Sequence, residues 1–102
     1  MATVIALYNT PTDPAAFDKY YTSTHVPLAK KLPGLRSYDL NKGPVTTPDG
    51  MSPYYLVAVL KFGSMNELQA ALTCPEGQAV VADLGNFATG GVSVLFFNDR
   101  PA

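Results

Sequence analysis

The chain has 102 residues, of which 47% are hydrophobic and 15% are charged, and its formal net charge is -1. This length is typical of a single domain, here residues 1–102, and the few Lys and Arg residues exclude the basic surface that nucleic-acid binding requires. No apolar run approaches the roughly 18 residues that cross a bilayer, so a membrane partner is excluded as well.

The first third of the chain predicts a strand and then a helix. Residues Thr3–Tyr8 form a short β-branched and apolar run that stops at Asn-Thr-Pro, as strands do. Asp13 followed by Pro14 is typical of a helix start. Pro27 is expected to kink or restart the helix, because proline has no backbone N–H. The spacing i, i+3, i+4, i+7, i+11 predicts one buried helical face: Phe17, Tyr20, Tyr21, Thr24 and Leu28.

The middle of the chain predicts two strands joined by a long loop. Leu35–Asn41 alternates only weakly and leans polar, which favours the edge of a sheet. Gly43–Pro53 contains three prolines and two glycines and is interpreted as a long, mobile hairpin loop. Tyr54–Phe62 is apolar on both alternating faces, as expected of a strand covered on both sides.

Two capping boxes open the last third, each pairing a hydroxyl residue with a glutamate three positions later. The first begins at Ser64 and the second at Thr73. They predict helices near Met65–Leu72 and Pro75–Phe87. A Gly-Gly turn then leads into a final strand, Val92–Phe97.

The resulting order, β-α-β-β-α-α-β, predicts an α+β, ferredoxin-like βαββαβ sandwich with a four-stranded antiparallel sheet. The strands carry apolar side chains on both faces, whereas helices can cover only one face. Burying one side chain of this size contributes about 1.5–3 kcal/mol. A second copy packing sheet against sheet would cover the other face, so we expect a homodimer.

The candidate site centres on His25, the only histidine, because imidazole titrates near neutral pH. Tyr21 lies four residues before it on the predicted helix, and Arg36 and Tyr38 are expected on one side of the following strand. Phenols and an arginine around an imidazole favour general acid–base chemistry. A histidine that caps the kink, or bonds a carbonyl freed by Pro27, is the alternative. Further aromatic residues are expected to line the pocket or its mouth: Phe17, Tyr8, Tyr54 and Tyr55.

Several chemistries have no sequence signature. The chain has no Gly-rich phosphate loop, G-x-S-x-G, C-x-x-C or H-E-x-x-H motif, and one His and one Cys are too few for a zinc or non-haem iron site. We therefore expect no metal and no cofactor, with haem ligation by His25 as an alternative. The single Cys74 cannot form an internal disulfide, and the N-terminal run is typical of a strand rather than a signal peptide. A cytoplasmic location is expected.

Residues 17–38 resemble the signature of the EthD family, in the dimeric α/β-barrel superfamily. The residues concerned are Phe17-x-x-Tyr20-Tyr21-x-x-x-His25-x-Pro27-Leu28-x-x-x-Leu32-Pro33-Gly34-Leu35-x-x-Tyr38. The resemblance implies a homodimeric, ferredoxin-like protein that binds a small apolar, aromatic or lactone-like ligand in a cleft between helices and sheet. In the methylmuconolactone isomerase branch a histidine and a tyrosine act at the positions of His25 and Tyr38. That branch also uses a cysteine where Leu60 stands here, which argues against the same reaction.

Two functions are left open by these observations. If the protein is an enzyme, His25 is expected to act as general acid or base in an isomerisation, a dehydration or a cofactor-free oxidation in catabolism or secondary metabolism. Tyr38 and Tyr21 would then hydrogen-bond a substrate oxygen, and Arg36 would stabilise an enolate or carboxylate. The alternative is a non-catalytic binding module that supports an oxygenase system, since a fold by itself does not determine a reaction.

Overall fold

An antiparallel sheet forms one layer of the computed structural model, which describes residues 1–102. Its four strands lie in the order β2-β5-β1-β6, and a separate two-stranded hairpin, β3-β4, lies within Gly43–Pro53, the segment interpreted as a long hairpin loop. The central position of β1 and the edge position of β2 agree with their apolar and polar sequences. The strands are β1 Ala2–Asn9, β2 Leu35–Leu40, β3 Thr46–Thr47, β4 Gly50–Met51, β5 Tyr54–Phe62 and β6 Val92–Asn98.

The second layer consists of helices on one face of the sheet. Asp13 caps the first helix by accepting a hydrogen bond from the Ala16 N–H at 3.1 Å, as predicted. The four-stranded antiparallel sheet with helices on one face confirms the predicted ferredoxin-like α+β fold. The bounds of the helices and strands lie within a residue or two of those expected. None of the helices combines the length and the hydrophobicity that crossing a bilayer demands. The helical segments are α1 Pro14–Tyr20, a π-helical turn Tyr21–His25, α2 Val26–Ala29, α3 Met65–Thr73 and α4 Pro75–Phe87.

The π-helical turn changes which side of the first helix is buried. The Val26 N–H bonds the Tyr21 carbonyl, five residues back, and Pro27 offers no N–H for the next α-helical bond. The wider turn brings the buried positions to a spacing of four residues along this segment: Phe17, Tyr21, His25 and Ala29. Thr24, predicted to be buried, is only half-buried, and His25 takes its place in the core.

A β-bulge in β2 changes the direction of Arg36. Leu35 pairs with Phe62, but Ser37 pairs with the next residue of β5, Lys61, so Arg36 is the extra residue. The strict alternation that was expected to bring Arg36 and Tyr38 to one side of the strand is broken there. Tyr38 pairs with Leu60 and faces the helices, whereas Arg36 is exposed.

The face of the sheet opposite the helices is apolar and open. On β6, Leu95 and Phe97 remain 52% and 41% exposed. The helix layer does not extend over β6 either, and on that side Val94 and Phe96 are 39% and 52% exposed. Exposed apolar groups of this size on one surface mark a region suited to association. The open face carries Ile5, Leu7, Val57, Val59, Leu95 and Phe97.

Only the first of the two predicted capping boxes caps its helix, and there Glu67 Oε2 accepts from the Gly63 N–H rather than from the Ser64 N–H. Ser64 accepts a hydrogen bond from the Glu67 N–H at 3.1 Å and caps α3 as predicted. The prediction for Thr73 is wrong, because this residue is the last of α3 and its hydroxyl donates back to the Gln69 carbonyl at 2.9 Å. The α4 N-cap is Cys74, which makes no capping bond. A turn so short that α3 ends where α4 begins leaves no room for a separate cap.

We expect the two capping residues to differ in their effect on stability. Ser64→Ala should lower the free energy of unfolding by about 1 kcal/mol, because the Glu67 N–H in the first turn of α3 loses its hydrogen-bond partner. Thr73→Ala should change it by less than about 0.5 kcal/mol. Urea denaturation of both variants measures the difference. Equal losses would mean that the Thr73 hydroxyl caps α4 in solution.

Candidate functional site

A cavity of about 160 Å³ lies between the helices and the sheet. It is lined by 17 residues, and His25 is the only one of them that is not hydrophobic. The floor is the helix-facing side of β1 and β5, and the walls are helices together with Tyr38 of β2 and Val94 and Phe96 of β6. Side chains that decide the character of the cavity are Tyr8, Tyr21, His25, Tyr38, Leu60 and Phe96.

His25 is 3% exposed and forms a buried pair with Asp83 of α4. Its Nδ1 lies 2.9 Å from Asp83 Oδ2, and its ring packs on Phe87 with centroids 4.7 Å apart. This is the only hydrogen bond of the imidazole. Nε2 therefore has no protein partner, and it is not fully enclosed, because no fully buried side-chain nitrogen or oxygen lacks a hydrogen bond. Since His25 lines the cavity, Nε2 is the ring nitrogen available to a ligand.

Asp83 is itself held by two other side chains. Tyr20 donates its hydroxyl to Asp83 Oδ1 at 2.6 Å, and Asn86 donates its amide to the same oxygen at 3.0 Å. Burial acts to raise the pKa of Asp83, but the hydrogen bonds from Tyr20, Asn86 and His25 together lower it below its usual value. Asp83 is thus a carboxylate at neutral pH with acceptor sites occupied on both oxygens.

The pair determines the protonation state of the imidazole. Burial lowers the pKa of His25 below its ordinary value, and the hydrogen bond and charge of Asp83 oppose this effect without reversing it. His25 is therefore neutral at pH 7. A carboxylate can only accept, so Nδ1 carries the proton and Nε2 carries the lone pair. This is the arrangement of a general base held by a carboxylate.

Three phenols line the cavity together with the imidazole. The hydroxyls of Tyr21 and Tyr38 are 2.5 Å apart, and the Tyr8 ring meets the Tyr21 ring edge-on with centroids 5.7 Å apart. Burial raises the pKa of all three hydroxyls above that of a free tyrosine. They are neutral hydrogen-bond donors, able to stabilise an oxygen of a ligand without carrying charge.

Four of the eight residues expected at the site or its mouth line this cavity: His25, Tyr38, Tyr21 and Tyr8. Phe17 is not a lining residue but packs behind them, stacked on Tyr21 at 5.7 Å. Arg36 lies outside, with its guanidinium against Gly63. Tyr54 and Tyr55 line a separate, more open groove beneath the β3-β4 hairpin, where Tyr55 donates to Asp18.

Asp83 is the residue that sequence reasoning missed. Its signal was present, because Val80, Asp83, Leu84 and Phe87 share one helical face, and a carboxylate on an apolar face requires a buried partner. Cys74 does not line the cavity, and its thiol contacts the Ala71 carbonyl at 3.0 Å. No group of three His, Cys, Asp or Glu residues is placed to hold a metal ion.

The cavity does not fit a haem. A void of about 160 Å³ is close to the roughly 150 Å³ that accommodates one benzene ring, whereas haem contains four pyrrole rings.

The EthD domain family matches residues 9–91 of the chain. A curated relative, an uncharacterized 11.0 kDa protein in the thcB-thcC intergenic region of Rhodococcus erythropolis, is 43% identical over 101 residues, which are 98% of this chain and 96% of the relative. The crystal structure of an EthD family protein of Bacillus halodurans is 35% identical, with a TM-score of 0.88 over 98% of this chain and 99% of that chain.

More distant structures share the fold alone. One is SnoaB from Streptomyces nogalater, a cofactor-independent oxygenase, with 19% identity and a TM-score of 0.67 over 99% of this chain and 94% of that one. Another is a dimeric ferredoxin-like protein of unknown function from Thermobifida fusca, with 15% identity and a TM-score of 0.67 over 94% and 88% of the two chains.

The tautomer of His25 can be observed directly, because a chain with one histidine shows one pair of imidazole nitrogen resonances. In ¹⁵N-histidine-labelled protein at neutral pH we expect a protonated Nδ1 and an unprotonated Nε2. Asp83→Asn should lower the pKa of His25 further, because it removes the nearby negative charge. The imidazole proton should then no longer be confined to Nδ1, because no carboxylate accepts it there. Asp49→Asn, an exposed change of the same type, should alter neither. A protonated Nε2 in the wild-type protein would contradict the assignment.

We expect the His25–Asp83 pair to make stability depend on pH in a defined direction. The pKa of His25 is lower in the folded chain than the roughly 6.5 of an unfolded one, so the unfolded chain binds the proton more readily. The contribution of the neutral, buried His25 to the free energy of unfolding is complete above about pH 6.5, and it is lost as the pH falls toward the pKa of His25 in the folded chain. Urea denaturation between about pH 7.5 and pH 5 should show this decline. His25→Gln should flatten it, and an unchanged slope would contradict the burial of a neutral imidazole.

Proposed function

The chain belongs to the EthD domain family, and on that premise we propose that it binds a small, largely apolar ligand in the helix–sheet cavity and transfers a proton through His25. The observation that carries the proposal is the buried contact of 2.9 Å between His25 Nδ1 and Asp83 Oδ2, which leaves Nε2 available to a ligand.

The proposed chemistry begins with removal of a proton from the bound ligand by His25 Nε2. Asp83 stabilises the resulting imidazolium, and the Tyr38 hydroxyl donates a hydrogen bond to the ligand oxygen on which negative charge develops. An isomerisation, a dehydration and a cofactor-free oxidation all start with such a step. SnoaB, a cofactor-independent oxygenase, has the same fold, which supports the last class without assigning it. Arg36 has no part in this proposal, because it lies outside the cavity.

We further propose that the functional form is a homodimer that packs open sheet face on open sheet face. Leu95 and Phe97 on that face are 52% and 41% exposed, and burying such side chains favours association. One structural neighbour is a dimeric ferredoxin-like protein, which supports association into a dimer. The cytoplasm is the expected location of this dimer.

Native mass spectrometry of the purified protein can identify a retained small molecule, which is then assayed for turnover. His25→Gln should lower turnover by about 10²–10⁴-fold, the usual contribution of a general base, while the ligand still binds. Asp83→Asn should lower turnover as well, and the exposed Asp49→Asn serves as its control. Full turnover by His25→Gln would refute the acid–base role. Binding without turnover by the wild-type protein would instead establish the non-catalytic binding module.

The proposed dimer is tested by two substitutions at equal exposure on opposite layers. Leu95 of β6 is 52% exposed on the open face, and Val81 of α4 is 53% exposed on the helix layer. Leu95→Asp should convert the protein to a monomer in light scattering at micromolar concentration, because the charge would be buried without a partner. Val81→Asp should leave the dimer intact. A wild-type monomer would overturn the proposal.

A further inference from the structure

The cavity contains no positive charge. Lys and Arg account for seven residues of the chain, and none of them lines the cavity. Arg36, which was expected there to hold a carboxylate, is directed away by the bulge in β2. The neutral imidazole of His25 is the only basic group, and it can accept a proton but offers no charge to an anion at neutral pH.

A negative charge lies directly behind the imidazole. The Asp83 carboxylate is 2.9 Å from Nδ1, so the potential at the cavity end of the ring is negative rather than positive. An anionic ligand would lose its hydration in an apolar cavity and gain no counter-charge. A carboxylate is therefore a poor fit to this site, whereas a neutral molecule carries no such cost.

The polar groups that remain prefer a hydroxyl group. His25 Nε2 offers a lone pair, which accepts a hydrogen bond from an O–H group. Tyr21 and Tyr38 share one hydrogen across their 2.5 Å contact, and the second hydroxyl hydrogen of the pair is left to donate. A ligand hydroxyl can donate its hydrogen to His25 Nε2 and accept the hydrogen bond from the tyrosine pair, so it satisfies both groups.

From these contacts, and resting on the proposed function, we infer that the cavity selects an electrically neutral, single-ring molecule bearing a hydroxyl group, such as a phenol or a cyclic enol, and rejects carboxylates. The volume of about 160 Å³ sets the size at about one ring. Removal of the hydroxyl proton by Nε2 would convert the ligand to a phenolate or enolate and His25 to imidazolium, and no other reactant enters this step.

The inference is tested by binding of three probes of one shape: 4-methylphenol, toluene and 4-methylbenzoate, measured at about pH 7, where the phenol is neutral and the carboxylate is charged. We expect 4-methylphenol to bind at least about 10-fold more tightly than 4-methylbenzoate, the order expected when a charge is buried without a partner. Toluene should fall between them. Equal or tighter binding of 4-methylbenzoate would overturn the inference, and so would no detectable binding of 4-methylphenol.

Two substitutions test separately the hydrogen bond to the hydroxyl group and the lack of positive charge in the cavity. Tyr38→Phe removes a hydrogen-bond donor. It should weaken the binding of 4-methylphenol by about 2- to 10-fold and leave the affinity for toluene unchanged. Val81 lines the cavity and is 53% exposed, so it can carry a longer side chain without burying its charged end. Val81→Arg should bind 4-methylbenzoate about 10-fold more tightly than Val81→Gln, the uncharged control. No change in preference would refute the role of charge.

These measurements are independent of turnover. If the selectivity holds and the wild-type protein turns nothing over, the acid–base proposal fails and the ligand class stands. If turnover depends on His25 but 4-methylbenzoate binds as well as 4-methylphenol, the ligand class fails and the acid–base proposal stands.

Discussion

The contact between His25 and Asp83 is the interaction on which both the packing of the helices and the character of the site depend. A carboxylate and an imidazole, each less than one tenth exposed, are compatible with an apolar core only if they are hydrogen-bonded to one another. Because His25 follows α1 and Asp83 belongs to α4, the same contact joins the two halves of the helix layer. Tyr20 and Asn86 complete the arrangement by occupying the second carboxylate oxygen.

The two faces of the sheet differ, because one lines the cavity and the other is open to solvent. The helix-facing side of β1 and β5 supplies small residues, Ala6 and Ala58, beneath the imidazole and the phenols, and this lack of bulk leaves room for the cavity. The opposite face is largely apolar and uncovered, although Thr3, Lys61 and Ser93 also lie on it, and a surface of this kind is suited to being covered by a second copy. Membership in the EthD family explains the shared fold, and a fold by itself does not determine a reaction.

Local patterns were sufficient for most of the secondary structure. The strand runs and the Asp13 and Ser64 caps depend on neighbours a few residues away, and the sequence contains those neighbours. The second capping box failed because Thr73 can serve as the last residue of one helix or the cap of the next, and only the tight α3–α4 corner decides between them. The bulge at Arg36 is likewise a property of how β2 pairs with β5, which no residue of β2 determines alone.

The sequence by itself determined the ferredoxin-like topology, the family and the histidine at the centre of the site, because periodicity, turn chemistry and a motif within residues 17–38 are all local. Only the tertiary structure decided that His25 is buried, through a π-helical turn that shifts the buried face from Thr24 to His25. Only the tertiary structure brought Asp83 to Nδ1 and removed Arg36 from the cavity. These outcomes depend on contacts between residues 58 positions apart and on strand register, and both are set by how the layers pack.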